Sequence, residues 1–165
     1  METIAVYWEE NIKTYGIRKE TKLCLVQMDI LPVCLVELGQ QLAELGQGET
    51  KVRLILAHHH EPGLLRLYMV FENRWQGKLA EFFSRPDLQE VSGRFLLESP
   101  VEMLNFHGPH FGDRYGIADM ACDALKKENI RFMLMGCSAA SVHFIFPEKM
   151  AARAEKALGS VFKAP

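Results

Sequence analysis

Alternating apolar positions at 3–8 and 12–17, separated by the polar Glu9, Glu10 and Asn11, predict two short strands about a turn. A third strand-like run, 22–28, stops at Asp29, Ile30, Leu31 and Pro32, an acidic residue and a proline ahead of a periodic stretch. Leu31, Leu35, Leu38, Leu42 and Leu45 recur at intervals of four and three, so a helix would carry all five on one face until Gly46 and Gly48 end it. Residues 52–57 alternate as a strand, 58–63 read as a turn, and 64–71 form the next strand with Leu65, Leu67, Met69 and Phe71 on one face. Asn73 and Gln76 make a capping box ahead of an amphipathic helix through Leu79, Phe82 and Phe83. Residues 84–87 break that helix, and 94–98 form a short strand.

The order strand, helix, strand, strand, helix, strand then starts again. Residues 101–107 are a strand, 108–116 a glycine-rich polar loop, and 117–128 a helix burying Ile117, Met120, Ala121, Ala124 and Leu125. Strands at 131–135 and 141–146 flank a turn at 136–140, and a last helix runs over 148–161. The repeat divides the chain near Ser99 and Pro100. The second copy ends one strand short, and the strand at 3–8 is expected to return and complete it. The first module, 18–99, is therefore inserted in a second made of 100–165 plus residues 1–10. This predicts an α+β fold of two ferredoxin-like (βαββαβ) modules, antiparallel sheets with helices on one face. Ile55, Leu64, Val70, Met133 and Ile145 fall on the opposite strand faces and call for a cover from another sheet or a partner subunit.

The 165 residues carry a net charge of -2, with 48% hydrophobic and 24% charged, which suits a globular chain and supplies no long-range attraction for nucleic acid or a membrane surface. No apolar run approaches the length of a membrane span, and the start lacks a signal-peptide pattern. Cys24, Cys34, Cys122 and Cys137 form no CxxC pair, and scattered thiols fit a reducing cytoplasm. His58 and His60 suggest a metal, but no further ligand cluster adjoins them, and a solvated hairpin turn is favoured; a gathering of His107, His110 and His143 is a weaker metal candidate. Cys137 with His143 or His107 lacks any oxyanion arrangement, and the phosphate motifs GxGxxG and Walker A are absent. Tyr7, Trp8, Tyr15 and Trp75 lack the basic neighbours of an RNA-stacking platform. The expectation is no catalytic set, no metal and no cofactor.

The loop 108–116 carries three glycines, Asp113 and Arg114, and leads straight into a helix. Backbone amides there suit a carboxylate and Asp113 an ammonium, although Asp113 could equally cap the helix. Asp29 faces the same choice, and Asn129 either meets a ligand or ends its helix.

Gly112-Asp113-Arg114-Tyr115-Gly116-Ile117, Glu128-Asn129-Ile130 and the hairpin from Cys137 and Ser138 to Ser141 resemble the ACT domain, most of all the second ACT module of aspartokinase regulatory regions. The first copy is similar more faintly, through residues 29–33. The resemblance implies nested modules that bind an amino acid such as lysine or threonine and signal through subunit association. Gly112, Asp113, Arg114, Gly116 and Ile117 would bind it, with Asn129 and Ser138 opposite and Asp29 serving the first module. Asp113 would anchor the amine, and the Ile117 end of the loop would donate to the carboxylate. A homodimer, a regulated enzyme of amino-acid metabolism and a cytoplasmic location follow as expectations, without nucleic acid or membrane. The length leaves no room for a kinase domain, so the expected role is non-catalytic. Tyr115 stands where the family usually has Pro, Glu128 where Gly is usual, and Pro32-Val33 replaces Pro-Gly. These departures motivate an alternative, a protein-interaction domain whose ligand loop has decayed; an enzyme built on Cys137 or the histidines is the third and weakest reading.

Overall fold

The alternation expected in the first half produces β2 (Ile17–Ile30), β3 (Val52–Glu61) and β4 (Leu64–Glu72). Both flanking strands pair antiparallel with β4, and β5 (Phe95–His107) lies on the far side of β2. A computed structural model describes residues 12–92, 95–109, 111–112, 114–138 and 140–163. The expected strand at 3–8 lies outside them. The chain divides into two compact units, one of Glu20–Glu102 and one that runs to Lys19 and resumes at Met103. Both β2 and β5 begin in one unit and end in the other.

In the Glu20–Glu102 unit, Cys24, Val26, Met28 and Ile30 from β2 and Leu67, Met69 and Phe71 from β4 make one buried face. Covering it are α1 (Leu35–Gly46), α2 (Gln76–Phe83) and α3 (Pro86–Ser92), through Leu38, Leu45, Leu79, Phe82, Phe83 and Leu88. Alternate residues of a strand point to opposite faces, so a period of two selects this set. The five-leucine face is only partly used. A 3-10 turn at Pro32–Cys34 shifts the start of α1, leaving Leu31 and Leu35 exposed while Leu38 and Leu45 are buried.

The second unit has β1 (Ile12–Lys13), α4 (Ile117–Lys127), β6 (Leu134–Cys137), β7 (Ser141–Pro147), α5 (Ala151–Gly159) and β8 (Phe162–Lys163). Phe106, Phe144 and Phe146 on the strands meet Ala121, Ala124, Ala151, Ala154 and Ala157 on the helices. Large residues on the sheet and small ones on the helices fill the layer at close approach. The fold is α+β: antiparallel pairs β2–β4, β3–β4 and β6–β7, one parallel pair β1–β8, and helices on one face.

Several sequence expectations change. The run 12–17 supplies only the two residues of β1, and the C-terminal Phe162 and Lys163 that pair with it form an unanticipated strand. His58, His59 and His60 belong to β3, not to a turn. Pro62 and Gly63 make the turn by themselves, Gly63 supplying φ +81°. Residues 95–98 and 101–107 fall in one strand, so the division near Ser99 lies inside β5, while residue 94 lies outside the described residues. The break at 84–87 opens α3, because Pro86 suits a first helical turn. The capping box does not form: a 3-10 turn already begins at Asn73, whose side-chain oxygen accepts a 2.6 Å hydrogen bond from Ser99 Oγ. The strand expected at 131–135 begins at Leu134 and runs to Cys137. On the opposite strand faces Val70 and Ile145 are buried, whereas Ile55 is exposed.

Phe106→Ala should therefore cost about 3–5 kcal/mol in denaturant unfolding, while Leu35→Ala should stay within about 0.5 kcal/mol.

Candidate functional site

Where β5 ends, the chain must turn sharply, and Gly108 permits it. A Cβ there would meet the Lys13 carbonyl and the Phe111 ring. The Tyr15 amide donates to the His107 carbonyl at 2.9 Å, and the two rings lie 5.2 Å apart. Three residues on, Phe111 drops into the core against Phe106 (6.0 Å) and Phe162 (6.4 Å). This anchor throws the remainder of the loop outward. Gly112 and Gly116 are exposed, Arg114 is half-buried, and Tyr115 is 98% exposed. Asp113 and His110 lie outside the described residues.

Gly116 caps α4 with φ +83°, a left-handed conformation that glycine adopts without a Cβ clash. Its carbonyl accepts the first helical bond, from the Met120 amide at 2.9 Å, and Gly116 itself has no side chain to cap the helix start. The amide end of α4 thus stands beside an exposed glycine turn. Ile117 sends its side chain into the core, so only its backbone is available to a ligand.

Asn129 sits at the other end of α4. Its left-handed φ of 52° and two bonds, Asn129 amide to Lys126 carbonyl (3.0 Å) and Ile130 amide to Leu125 carbonyl (2.9 Å), form a Schellman ending. The eleven residues of α4 separate it from the loop by about 16 Å at 1.5 Å per residue. Ser138 stands at the β6–β7 hairpin. Its Oγ bonds to Ser141 Oγ at 2.9 Å, and Ser141 Oγ lies 3.1 Å from His143 Nε2. Phe144, three residues past Ser141, stacks on Phe106 at 6.5 Å, so this hairpin neighbours the end of β5.

Asp29, in the other unit, faces Arg66 across the β2–β4 ladder and accepts two 2.7 Å hydrogen bonds from its guanidinium. Hydrogen bonding to Arg66 holds its carboxyl below the usual range despite some burial, and His60 and His58 assist. His58 stacks on Tyr68 at 5.6 Å and meets His60 edge-on at 6.2 Å. Among the described residues no three His, Cys, Asp or Glu side chains are grouped to hold a metal ion. Desolvation first, then Cys122, pushes the Cys137 thiol up, away from the thiolate that a nucleophile needs. Arg66 and Phe111 escaped the sequence reading. Phe111 alone left a signal, as the buried type of residue in an otherwise polar loop.

Gly108→Ala should cost about 1–3 kcal/mol by overpacking, read by chemical unfolding, and should change near-ultraviolet dichroism from the displaced Phe111. A folded-state carboxyl pKa below the unfolded value stabilises fully above about pH 4, and that gain is lost as pH falls through the lower folded value. The wild-type Tm should consequently fall more steeply than that of Asp29→Asn between about pH 4 and pH 2, as measured by dichroism melts.

No protein-family model matches the sequence, and no curated protein does. Solved structures do. The ligand-free regulatory subunit of aspartate kinase from Thermus thermophilus aligns with a TM-score of 0.75 at 16% identity, over 91% of this chain and 99% of that one. The regulatory subunit from Thermus flavus gives 0.77 at 17% identity, over 90% and 97%. E. coli aspartokinase III, in complex with lysine and aspartate, gives 0.64 at 15% identity, over 92% of this chain but 34% of that one. Among the described residues no helix is long and apolar enough to cross a membrane. The fold is the tandem ACT-like arrangement found in aspartokinase regulatory subunits.

Proposed function

We propose that the chain is a non-catalytic regulatory protein of two ferredoxin-like ACT modules, which binds a free amino acid and transmits occupancy through subunit association. The observation that carries this reading is the structural match across 99% of a regulatory subunit of aspartate kinase. The exposed glycine turn at the amide end of α4 supports it chemically, since the amides of a helix start stabilise a carboxylate. In this reading Gly112, Gly116 and the Ile117 amide take the carboxylate, Asp113 takes the ammonium, and Arg114 and Ser138 border the ligand. Lysine and threonine are the first ligands to test, since the lysine complex of E. coli aspartokinase III belongs to the same fold.

The separation of Asn129 from the loop gives the association its role. One α4 holds the two at opposite ends of one chain, so in this reading Asn129 would serve the loop of a second copy. A ligand bridging two copies favours the pair by linkage, because it binds the pair more tightly than the separate chains. The proposed assembly is a homodimer in the cytoplasm, acting on an enzyme of amino-acid metabolism, with neither nucleic acid nor membrane as a partner.

A second reading, a protein-interaction domain with a decayed ligand loop, is favoured by the apolar group at the start of α1. Leu31, Val33, Leu35 and Val36 are all exposed there, Val33 by 80%. Thermal melts with each of the twenty amino acids at 10 mM decide between the two. A ligand at one hundred times its Kd stabilises by about 2.7 kcal/mol, a Tm rise of roughly 5–10 °C for a chain of this size. Light scattering should show the dimer fraction rising with it, and Asp113→Ala should abolish both. A folded protein stabilised by none of the twenty is the second reading.

A further inference from the structure

The Glu20–Glu102 unit carries an ionic groove that no step of the amino-acid reading uses. It is open to solvent, has a volume of about 660 Å³ and is lined by Glu20, Lys22, Arg53, Glu72 and Arg74, together with Thr21, Leu23 and Asn73. Two backbone irregularities flank it. Arg53 is the extra residue of a β-bulge, between the pairs Val52–Phe71 and Leu54–Val70. Lys22, with φ 57°, lies next to Leu23, where the described β2–β4 ladder starts opposite Glu72. Bulges re-aim side chains and break regular pairing, which is how a cleft opens at the rim of a sheet.

The charges have a definite order. Glu72 bridges two guanidiniums, accepting from Arg53 Nη2 at 2.6 Å and pairing with Arg74 Nε at 2.7 Å. Arg53 Nε stands 4.0 Å from Glu20. The carboxylates are the more enclosed partners: the Glu72 and Glu20 side chains are 26% exposed, against 41% for Arg53 and 59% for Arg74. The carboxylates thus position two cations whose outer edges face solvent. Each guanidinium has five N–H donors, and these pairs leave most of them uncommitted. Arg74 is further held over the Trp75 ring, 4.8 Å from its centroid. Lys22 makes no ion pair among the described residues, so three cations stand against two carboxylates.

We propose that this groove binds a small molecule through a dianionic oxyanion, a phosphate monoester or a dicarboxylate, held between the Arg53 and Arg74 guanidiniums with Lys22 as the third cation. Planar guanidinium forks fit two-oxygen anions with directed hydrogen bonds, and prior bridging by Glu72 reduces the entropy lost when an anion seats. Glu72 is a positioning residue in this scheme.

Titration of the full-length chain, followed by amide NMR at constant ionic strength, tests the proposal with inorganic phosphate in one arm and succinate in the other. Saturable shifts at Lys22, Leu23 and Arg74 are expected, and the tighter probe names the ligand class. Arg53→Gln with Arg74→Gln should weaken binding at least tenfold. Lys22→Asn, which tolerates the left-handed backbone, should weaken it several-fold. Glu72→Gln is the decisive variant. A merely positive surface would bind anions more tightly once that carboxylate is neutralised, whereas a positioned pair should bind about tenfold more weakly. Shifts that saturate with neither anion, binding untouched by the arginine changes, or tighter binding in Glu72→Gln would each overturn the proposal. The spectra themselves report whether each variant is folded. None of these residues lies in the 112–117 turn, so this result and the amino-acid screen succeed or fail separately.

Discussion

Burial of Phe111 governs the shape of the loop on which the functional reading rests. Its ring contacts Phe106 and Phe162, and Phe106 also stacks on Phe144, so one aromatic cluster ties the loop to β5, β7 and β8. Pairing of β8 with β1 then brings the chain's early residues alongside, with Ile12 in the same core. The turn that delivers Phe111 works only because position 108 lacks a side chain, with the Lys13 carbonyl occupying that space. Core packing on one side of Phe111 therefore creates exposure on the other. Gly112, Tyr115 and Gly116 are exposed beyond this anchor.

The two candidate loops are chemically unequal. In the Glu20–Glu102 unit, Asp29 is already engaged by Arg66 through both oxygens, and Pro32 replaces a donor at the start of the following turn. An ammonium ligand would have to compete with a bidentate guanidinium, whose charge is permanent and whose geometry is already satisfied. At the second loop the helix begins on a glycine, which has no side chain of its own to cap the helix amides. Asp29 is thus committed to Arg66 within the β2–β4 ladder, a constraint that the glycine turn before α4 does not share.

The legible part of this sequence was the part written in strong periodicity. Strands with Cys24, Val26 and Met28 or Leu67, Met69 and Phe71 on one face follow from alternation, and α4 follows from Ile117, Ala121, Ala124 and Leu125. What escaped depends on contacts between distant residues. Nothing local marks Ile12 and Phe162 as a strand pair, because two-residue strands have no period. Asn73 looked like a cap, but its side chain was captured by Ser99, twenty-six residues away. The His58–His60 run looked polar enough for a turn, yet Pro62 and Gly63 supply the reversal by themselves and pairing with β4 keeps the histidines extended. For the site, glycines and the helix start were readable; Arg66 as the partner of Asp29 and the bridging role of Glu72 were not, since both are cross-strand relations.

The described side chains whose acidity is shifted are held by burial or by ion pairs. Burial pushes the Cys24 thiol up to about 11, and the thiols of Cys122 and Cys137 are raised too, so none is poised as a thiolate. The carboxylates shifted most clearly, Asp29, Glu72 and Asp87, are lowered by arginine partners. General acids need the opposite displacement, toward neutral pH. Charges fixed in this way are poor at moving protons and good at holding shape or recognising a complementary charge. In the proposed role, a ligand would influence the balance between conformations or assemblies only by its difference in affinity between the states.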